Sequence, residues 1–208
     1  MGRKAKIERK SNETEIIAEL NIDGTGKTKI KTNIGILDHM LDLFSFHGCF
    51  DLTLDVKKAD LNIDIHHTNE DIAIVLGKLF RKALGEQCAG IRRFGAGAVP
   101  MENTLGKCII DINGRGHLAL KIGENDPPYP AMNVIDGYAI TYLEHFLESF
   151  VKNLGATLHA KINYPSEDLH TNLETIFKAL GLAIDEATTI DKRKEGKVTG
   201  VQIQVPLS

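Results

Sequence analysis

The chain repeats itself. His66, Glu70 and the pair Leu76-Gly77 recur as His170, Glu174 and Leu180-Gly181, each 104 residues later, and Leu37-Asp38-His39 recurs as Leu143-Glu144-His145 at an offset of 106. Spacing kept this closely implies two copies of one supersecondary unit. No Pro/Ser-rich or charged linker interrupts the chain near residue 105. The reading is therefore one domain over 1–208, built from two halves of about 1–95 and 96–208, rather than two independent domains; 208 residues suffice for a real hydrophobic core.

Each half has the same internal order. Residues 14 to 22 and 28 to 34 alternate loosely around Asp23-Gly24-Thr25-Gly26, as strands flanking a Gly-rich turn do. Leu37, Met40, Leu41 and Phe44 then recur at helical spacing up to Gly48, and Phe50, Leu52, Leu54 and Val56 alternate as in a strand. From about Thr68 a second helix carries Ile72, Val75, Leu76, Leu79 and Phe80 on one face and ends near Gly85. The second half offers strands at Cys108 to Ile112, His117 to Ile122 and Thr157 to Ile162, with helices near 135 to 153 and 172 to 187. The fold class is α+β: two tandem βα repeats, with a helical layer packed between two mixed sheets.

Bulk composition narrows the function. A formal net charge of −3 with 25% charged residues gives no extended basic surface, which argues against nucleic acid as partner. No run of about 18 apolar residues is present and Met1 to Lys10 has no apolar core, so no membrane partner and a cytoplasmic setting are expected. Cys49, Cys88 and Cys108 are odd in number and far apart, which fits reduced thiols used in packing. Gly-x-Ser-x-Gly, Gly-x-x-x-x-Gly-Lys-Ser/Thr and Gly-x-Gly-x-x-Gly are all missing. Gly85, Gly90, Gly95 and Gly97, near Arg92 and Arg93, read as turn chemistry, and Arg115 as an exposed turn arginine.

What remains is a histidine and carboxylate constellation. In His66-His67-Thr68-Asn69-Glu70-Asp71, helical geometry sets Glu70 four residues from His66 and three from His67, so the side chains converge. Imidazole with carboxylate suits Mn, Fe or Zn. One His-x-x-x-Glu on a helix is usually a solvated pair. Its recurrence as His170-Thr171-Asn172-Leu173-Glu174 is hard to assign to packing, and His39 and His159 are the candidates to complete the ligand shells, although each alone reads as an ordinary polar residue.

The ordered motifs resemble one family, the imidazoleglycerol-phosphate dehydratases. They are Arg9 to Thr14, Asp23-Gly24-Thr25-Gly26, Leu37-Asp38-His39-Met40-Leu41, His47-Gly48 with Phe50-Asp51, and His66-His67-Thr68-x-Glu70-Asp71. Arg93-Phe94-Gly95, Gly114-Arg115, Leu158-His159 and Glu174-x-Ile176-Phe177-Lys178-Ala179 follow in the family's order. The resemblance implies a duplication like that of ribosomal-protein folds, trimers assembled into a shell of twenty-four subunits with active sites between neighbours, and dehydration of imidazole glycerol phosphate to imidazole acetol phosphate. It also implies two Mn(II) ions per active site that bind and polarise the imidazole. By position the metal ligands are His39, His66, His67, Glu70, His159, His170 and Glu174. Glu13 matches the acid/base glutamate, with His47 and Glu174 also catalytic, and Arg93, Arg115 and Lys178 match cationic contacts suited to a phosphate monoester.

Three departures stand out. Thr171 occupies the place of the second histidine of the second pair, so one metal site is expected to be weaker or differently filled. The family's Pro-Met-Asp-Glu reads Pro100-Met101-Glu102-Asn103, and its C-terminal Ser-x-Lys-Gly phosphate segment reads Gly196-Lys197-Val198-Thr199-Gly200, where Lys197 is the substitute out of register. These leave two alternatives beside the family reaction: a related metal-dependent lyase on another small substrate, and a catalytically silent protein that keeps metal for assembly.

Overall fold

The computed structural model describes residues 2–85, 88–124, 132–194 and 197. The first repeat runs β1 (Lys4–Lys10), β2 (Glu15–Asn21), β3 (Thr28–Lys31), α1 (Gly35–His47), β4 (Asp51–Lys58) and α2 (His66–Leu84). The second runs β5 (Phe94–Met101), β6 (Thr104–Asp111), β7 (His117–Ile122), α3 (Ile140–Leu154), β8 (Thr157–Asn163) and α4 (Leu169–Thr188). Each repeat makes its own four-stranded mixed sheet, in the orders β1-β2-β4-β3 and β5-β6-β8-β7. In both, two antiparallel pairings are followed by a parallel pair, β3 with β4 and β7 with β8, joined through a crossover helix as parallel strands require.

Alternation on the strands decides which sheet face is covered. Ile16, Ala18 and Leu20 of β2 and Leu52, Leu54 and Val56 of β4 are buried, while their neighbours along each strand are not. Helices α1 and α2 cover that face of the first sheet, α3 and α4 cover the second, and the two helical sets meet as α1 on α4 and α2 on α3. Phe44, Phe50 and Phe80 of the first repeat and Phe150 of the second meet edge-on or tilted, so one apolar cluster draws on both halves. No helix among the described residues is long and apolar enough to cross a membrane.

Several local expectations are corrected. Residues 4–10, whose charge concealed their alternation, form edge strand β1, with Ala5 turned inward and Lys4, Lys6 and Lys10 turned out. Gly95 and Gly97 are not turn glycines: they lie in β5, and a Cβ at either position would stand 1.9 Å from the Ala183 carbonyl oxygen and 2.0 Å from that of Ala179 on α4. The glycines let the helix settle on the strand, a requirement that no local pattern announces. Helix α3 starts at Ile140 rather than near 135, because Ile135 and Tyr138 close a bridged turn first. Cys88 and Cys108 are buried, whereas Cys49 is exposed in the turn after α1 at φ 56°, so only two of the three cysteines serve packing.

Candidate active site

Because α1 of one repeat lies on α4 of the other, His39 meets His170 and Glu174. The Nε2 atoms of His39 and His170 stand 2.9 and 3.3 Å from Oε1 of Glu174, and the two imidazoles stack with centroids 5.1 Å apart. Lys178, one turn further along α4, donates to the other carboxylate oxygen at 2.9 Å. Burial alone would raise the Glu174 carboxyl, but the hydrogen bonds from Lys178 and His39 outweigh it and hold the group below the usual carboxylate range.

The contact of α2 with α3 builds the counterpart. His66 faces His145 with their Nδ1 atoms 2.8 Å apart and ring centroids at 4.5 Å, and His66 Nε2 lies 3.5 Å from Glu70. These three side chains, with Glu148 and Ser149, line a cavity of about 160 Å³. His145 stands 106 residues after His39, and His66 and Glu70 stand 104 before His170 and Glu174, so each triad takes one histidine from one repeat and a His-x-x-x-Glu from the other. In the first triad one donor atom from each residue lies within 4.8 Å of the others, a spacing that suits a single metal ion. In the second, His66 turns Nδ1 to His145 and Nε2 to Glu70, so its three donors do not draw together on one side as those of the first do.

Glu13 and His67 stand elsewhere, in a third group with Asp60. Glu13 sits in the β1–β2 turn, which is pinned to α2 because Arg9 and the Thr14 hydroxyl both donate to the buried Asp71 carboxylate. His67 Nδ1 pairs with Asp60 at 3.1 Å, and the Asp60 amide hydrogen-bonds the buried Thr68 hydroxyl. Asp60 first, then Glu13, raises the His67 imidazolium above the ordinary histidine range.

The remaining candidates are spread out. His47 closes α1, half-buried; burial lowers its pKa, the Lys178 ammonium adds to that and Glu174 opposes it. Arg93 holds Asp111 through two hydrogen bonds of 2.6 and 2.9 Å. Arg115 is exposed in the β6–β7 turn, and Lys197 is exposed beside Gly90, whose amide donates to its carbonyl at 3.2 Å. Gly196 and residues 198–200 lie outside the described residues. His159 is on the exposed side of β8, between Ile109 and Ala119 in register, and no described hydrogen bond, ion pair or ring contact joins it to the other histidines. Sequence reasoning gave the shell-completing role to His39 and His159 and missed His145, although the match of Leu143-Glu144-His145 to Leu37-Asp38-His39 carried the signal.

Comparison with known proteins places the chain in a family. The family model of imidazoleglycerol-phosphate dehydratase matches residues 32–184. The chain belongs to the imidazoleglycerol-phosphate dehydratase family. An imidazoleglycerol-phosphate dehydratase of Geobacter sulfurreducens is 43% identical over 203 residues, covering 94% of this chain and 96% of that one. One from a Thermoanaerobacter species is 46% identical over 194 residues, covering 93% and 95%. Among solved structures, the enzyme of Pyrococcus furiosus in complex with (S)-C348 superposes with a TM-score of 0.75 at 32% identity, over 94% of this chain and 99% of that one. The Staphylococcus aureus enzyme gives 0.74 at 26% identity, over 90% and 99%.

Within an imidazoleglycerol-phosphate dehydratase fold, Thr171 has a structural task. Its hydroxyl donates to Asp168 at 2.9 Å, and the same carboxylate accepts the Thr171 and His170 amides at 3.1 and 3.3 Å, capping α4. The side chain is thereby turned to the cap rather than to Glu174.

Proposed function

We propose that this chain is a manganese-dependent hydro-lyase of histidine biosynthesis, converting imidazole glycerol phosphate to imidazole acetol phosphate with two Mn(II) ions per active site. The observation that carries the reading is the pair of repeat-related triads, His39/His170/Glu174 and His145/His66/Glu70, in a chain of this family. The donors are imidazole nitrogens and carboxylate oxygens, a set that manganese accepts. Bound there, Mn(II) would supply a Lewis acid that orients a nitrogen heterocycle and acidifies its ring N–H.

The chain's own groups do the rest. Glu13, exposed on its pinned turn, takes the carbon-bound proton of the carbinol next to the phosphate-bearing carbon. Hydroxide leaves from the carbon attached to the ring and departs as water after protonation; the resulting enol regains a proton on carbon and becomes the ketone. His47, its pKa lowered by burial first and by Lys178 second, favours the neutral imidazole and can accept or pass a proton. Arg93, Arg115, Lys178 and Lys197 supply positive charge for a phosphate dianion, Arg93 and Lys178 by exchanging Asp111 and Glu174 for it. Glu13 and His67 group with Asp60 rather than with either triad's carboxylate, which supports sites completed by neighbouring subunits, here in trimers assembled to a twenty-four-subunit shell. The setting proposed is the cytoplasm.

The test is direct: purified chain loaded with Mn(II) is given imidazole glycerol phosphate, and the loss of one water is followed by mass spectrometry with bound metal quantified in the same sample. Full metal occupancy with no product would overturn the reading.

A further inference from the structure

We propose that Asp71 is a positioning residue for Glu13: it locks the β1–β2 turn along α2 so that the Glu13 carboxylate faces His67. The inference rests on the acid/base role given to Glu13 above. Two consecutive residues of the turn meet two consecutive turns of one helix. The hydroxyl of buried Thr14 donates to Asp71 at 2.5 Å, and a carboxylate oxygen of exposed Glu13 lies within 4.8 Å of donor atoms of His67 and Asp60. His67 and Asp71 are four residues apart on α2 and share a face.

The turn is shaped by its own bonds. Ser11 Oγ accepts the Glu13 and Thr14 amides at 3.2 and 3.0 Å, and the Ser11 amide donates to the Thr14 carbonyl at 2.9 Å. None of these ties the turn to the helix. Asp71 does, and Arg9 closes the clamp by donating to Asp71 at 2.5 Å and to the Thr14 hydroxyl at 3.0 Å. The only other restraint described on the turn from outside β1 and β2 is the exposed Lys58 ammonium on the Asn12 carbonyl.

The second repeat is an internal control. Arg9 stands opposite Ile16 as Val99 stands opposite Gly106, so the β1–β2 hairpin recurs as β5–β6 90 residues later. There Glu13 becomes Asn103, Arg9 becomes Val99, and Asp71, at the helix offset of 104, becomes Thr175. Thr104, the counterpart of Thr14, donates to the Tyr164 carbonyl at 3.1 Å, and Thr175 donates within its own helix to Asn172 at 2.9 Å. A hairpin of this kind therefore packs without the clamp, and the clamp is found where the turn carries the carboxylate. Stability is a poor reason to keep it, because exchanging a buried ion pair for groups of similar volume is often neutral or stabilising.

The experiment gives the first repeat the second repeat's residues, Arg9→Val with Asp71→Thr, in the full chain, with folding followed by circular dichroism. With Mn(II) and imidazole glycerol phosphate, kcat is expected to fall by roughly tenfold or more while KM stays within about threefold, since a displaced base slows the chemistry more than binding. Without metal or substrate, the Glu13 and Thr14 amides should exchange hydrogen at least about tenfold faster than in the parent chain. Asp71→Asn, which keeps an acceptor for Thr14, should recover part of kcat, and it replaces the double variant if that does not fold. A kcat per folded chain equal to the parent's, a rise in KM alone, or unchanged exchange at Glu13 and Thr14 overturns the inference. If Glu13→Gln keeps the parent kcat, the acid/base reading of Glu13 falls instead.

Discussion

Gly77 on α2 and Gly181 on α4, 104 residues apart, each press against the backbone of the other repeat's crossover helix. A Cβ at Gly77 would lie 2.4 Å from the Phe150 carbonyl oxygen, and one at Gly181 would lie 2.4 Å from that of Phe44. Phe44 and Phe150 are themselves 106 residues apart, so the contact is made twice by equivalent residues. These two approaches bring His39 to Glu174 and His145 to His66, which makes the glycines part of how the site is held.

Substituting either glycine by alanine should force α1 from α4 or α3 from α2, since a backbone carbonyl cannot move aside alone. The expected cost is roughly 1–3 kcal/mol for overpacking, less the ~1 kcal/mol that alanine returns in a helix. Denaturant titration of Gly77→Ala and Gly181→Ala measures it, and a stability gain in both would contradict the close approach.

Asp168 caps α4 and receives the Thr171 hydroxyl. Asp168→Ala should lower stability by ~1 kcal/mol, the usual worth of an N-cap, and Thr171→Val by ~1 kcal/mol as one hydrogen bond to a charged group is lost. The double variant should fall short of the sum, because both changes remove the same bond. Thermal unfolding of the three variants checks this.

Acid stability carries a third expectation. The Arg3 guanidinium, 2.5 Å from Asp23, holds that carboxyl below its ordinary range. A group with a depressed folded pKa contributes stability above the unfolded value, ~3.9, and loses it as pH falls through the lower folded value. Asp23→Asn should therefore be less stable than the parent chain at pH 6, and the gap should close as pH falls below the ordinary carboxylate range, as read from unfolding curves. The exposure of the pair keeps the difference small.

Metal removal gives a fourth. If both triads bind Mn(II), ion at a hundred times its Kd should stabilise the chain by ~2.7 kcal/mol per site. A chelator should lower Tm, and His39→Ala and His145→Ala should each remove part of the shift. Differential scanning calorimetry with and without chelator reads it, and an unchanged Tm would count against metal at both triads.

How far the site was legible can be traced residue by residue. His66, Glu70, His170 and Glu174 were found because a ligand pair on one helix leaves a four-residue spacing, and duplication separated it from a solvated pair. The pairing of His39 with Glu174 and of His145 with His66 leaves no spacing, since it arises from contacts between repeats. His159 was a candidate from its position in the second repeat and from the family motif, and strand period turns it to the outer face of β8.

By itself the sequence determined the duplication, the order of strands and helices within each half, the apolar faces, the α+β class and the family. Those follow from local periodicity and from residues that recur. The tertiary structure decided that helices cross-pair between repeats and that Gly95 and Gly97 serve a helix lying on a strand. Each depends on which backbone comes within a few ångströms of another, and that is fixed only when both sheets close on the helices between them.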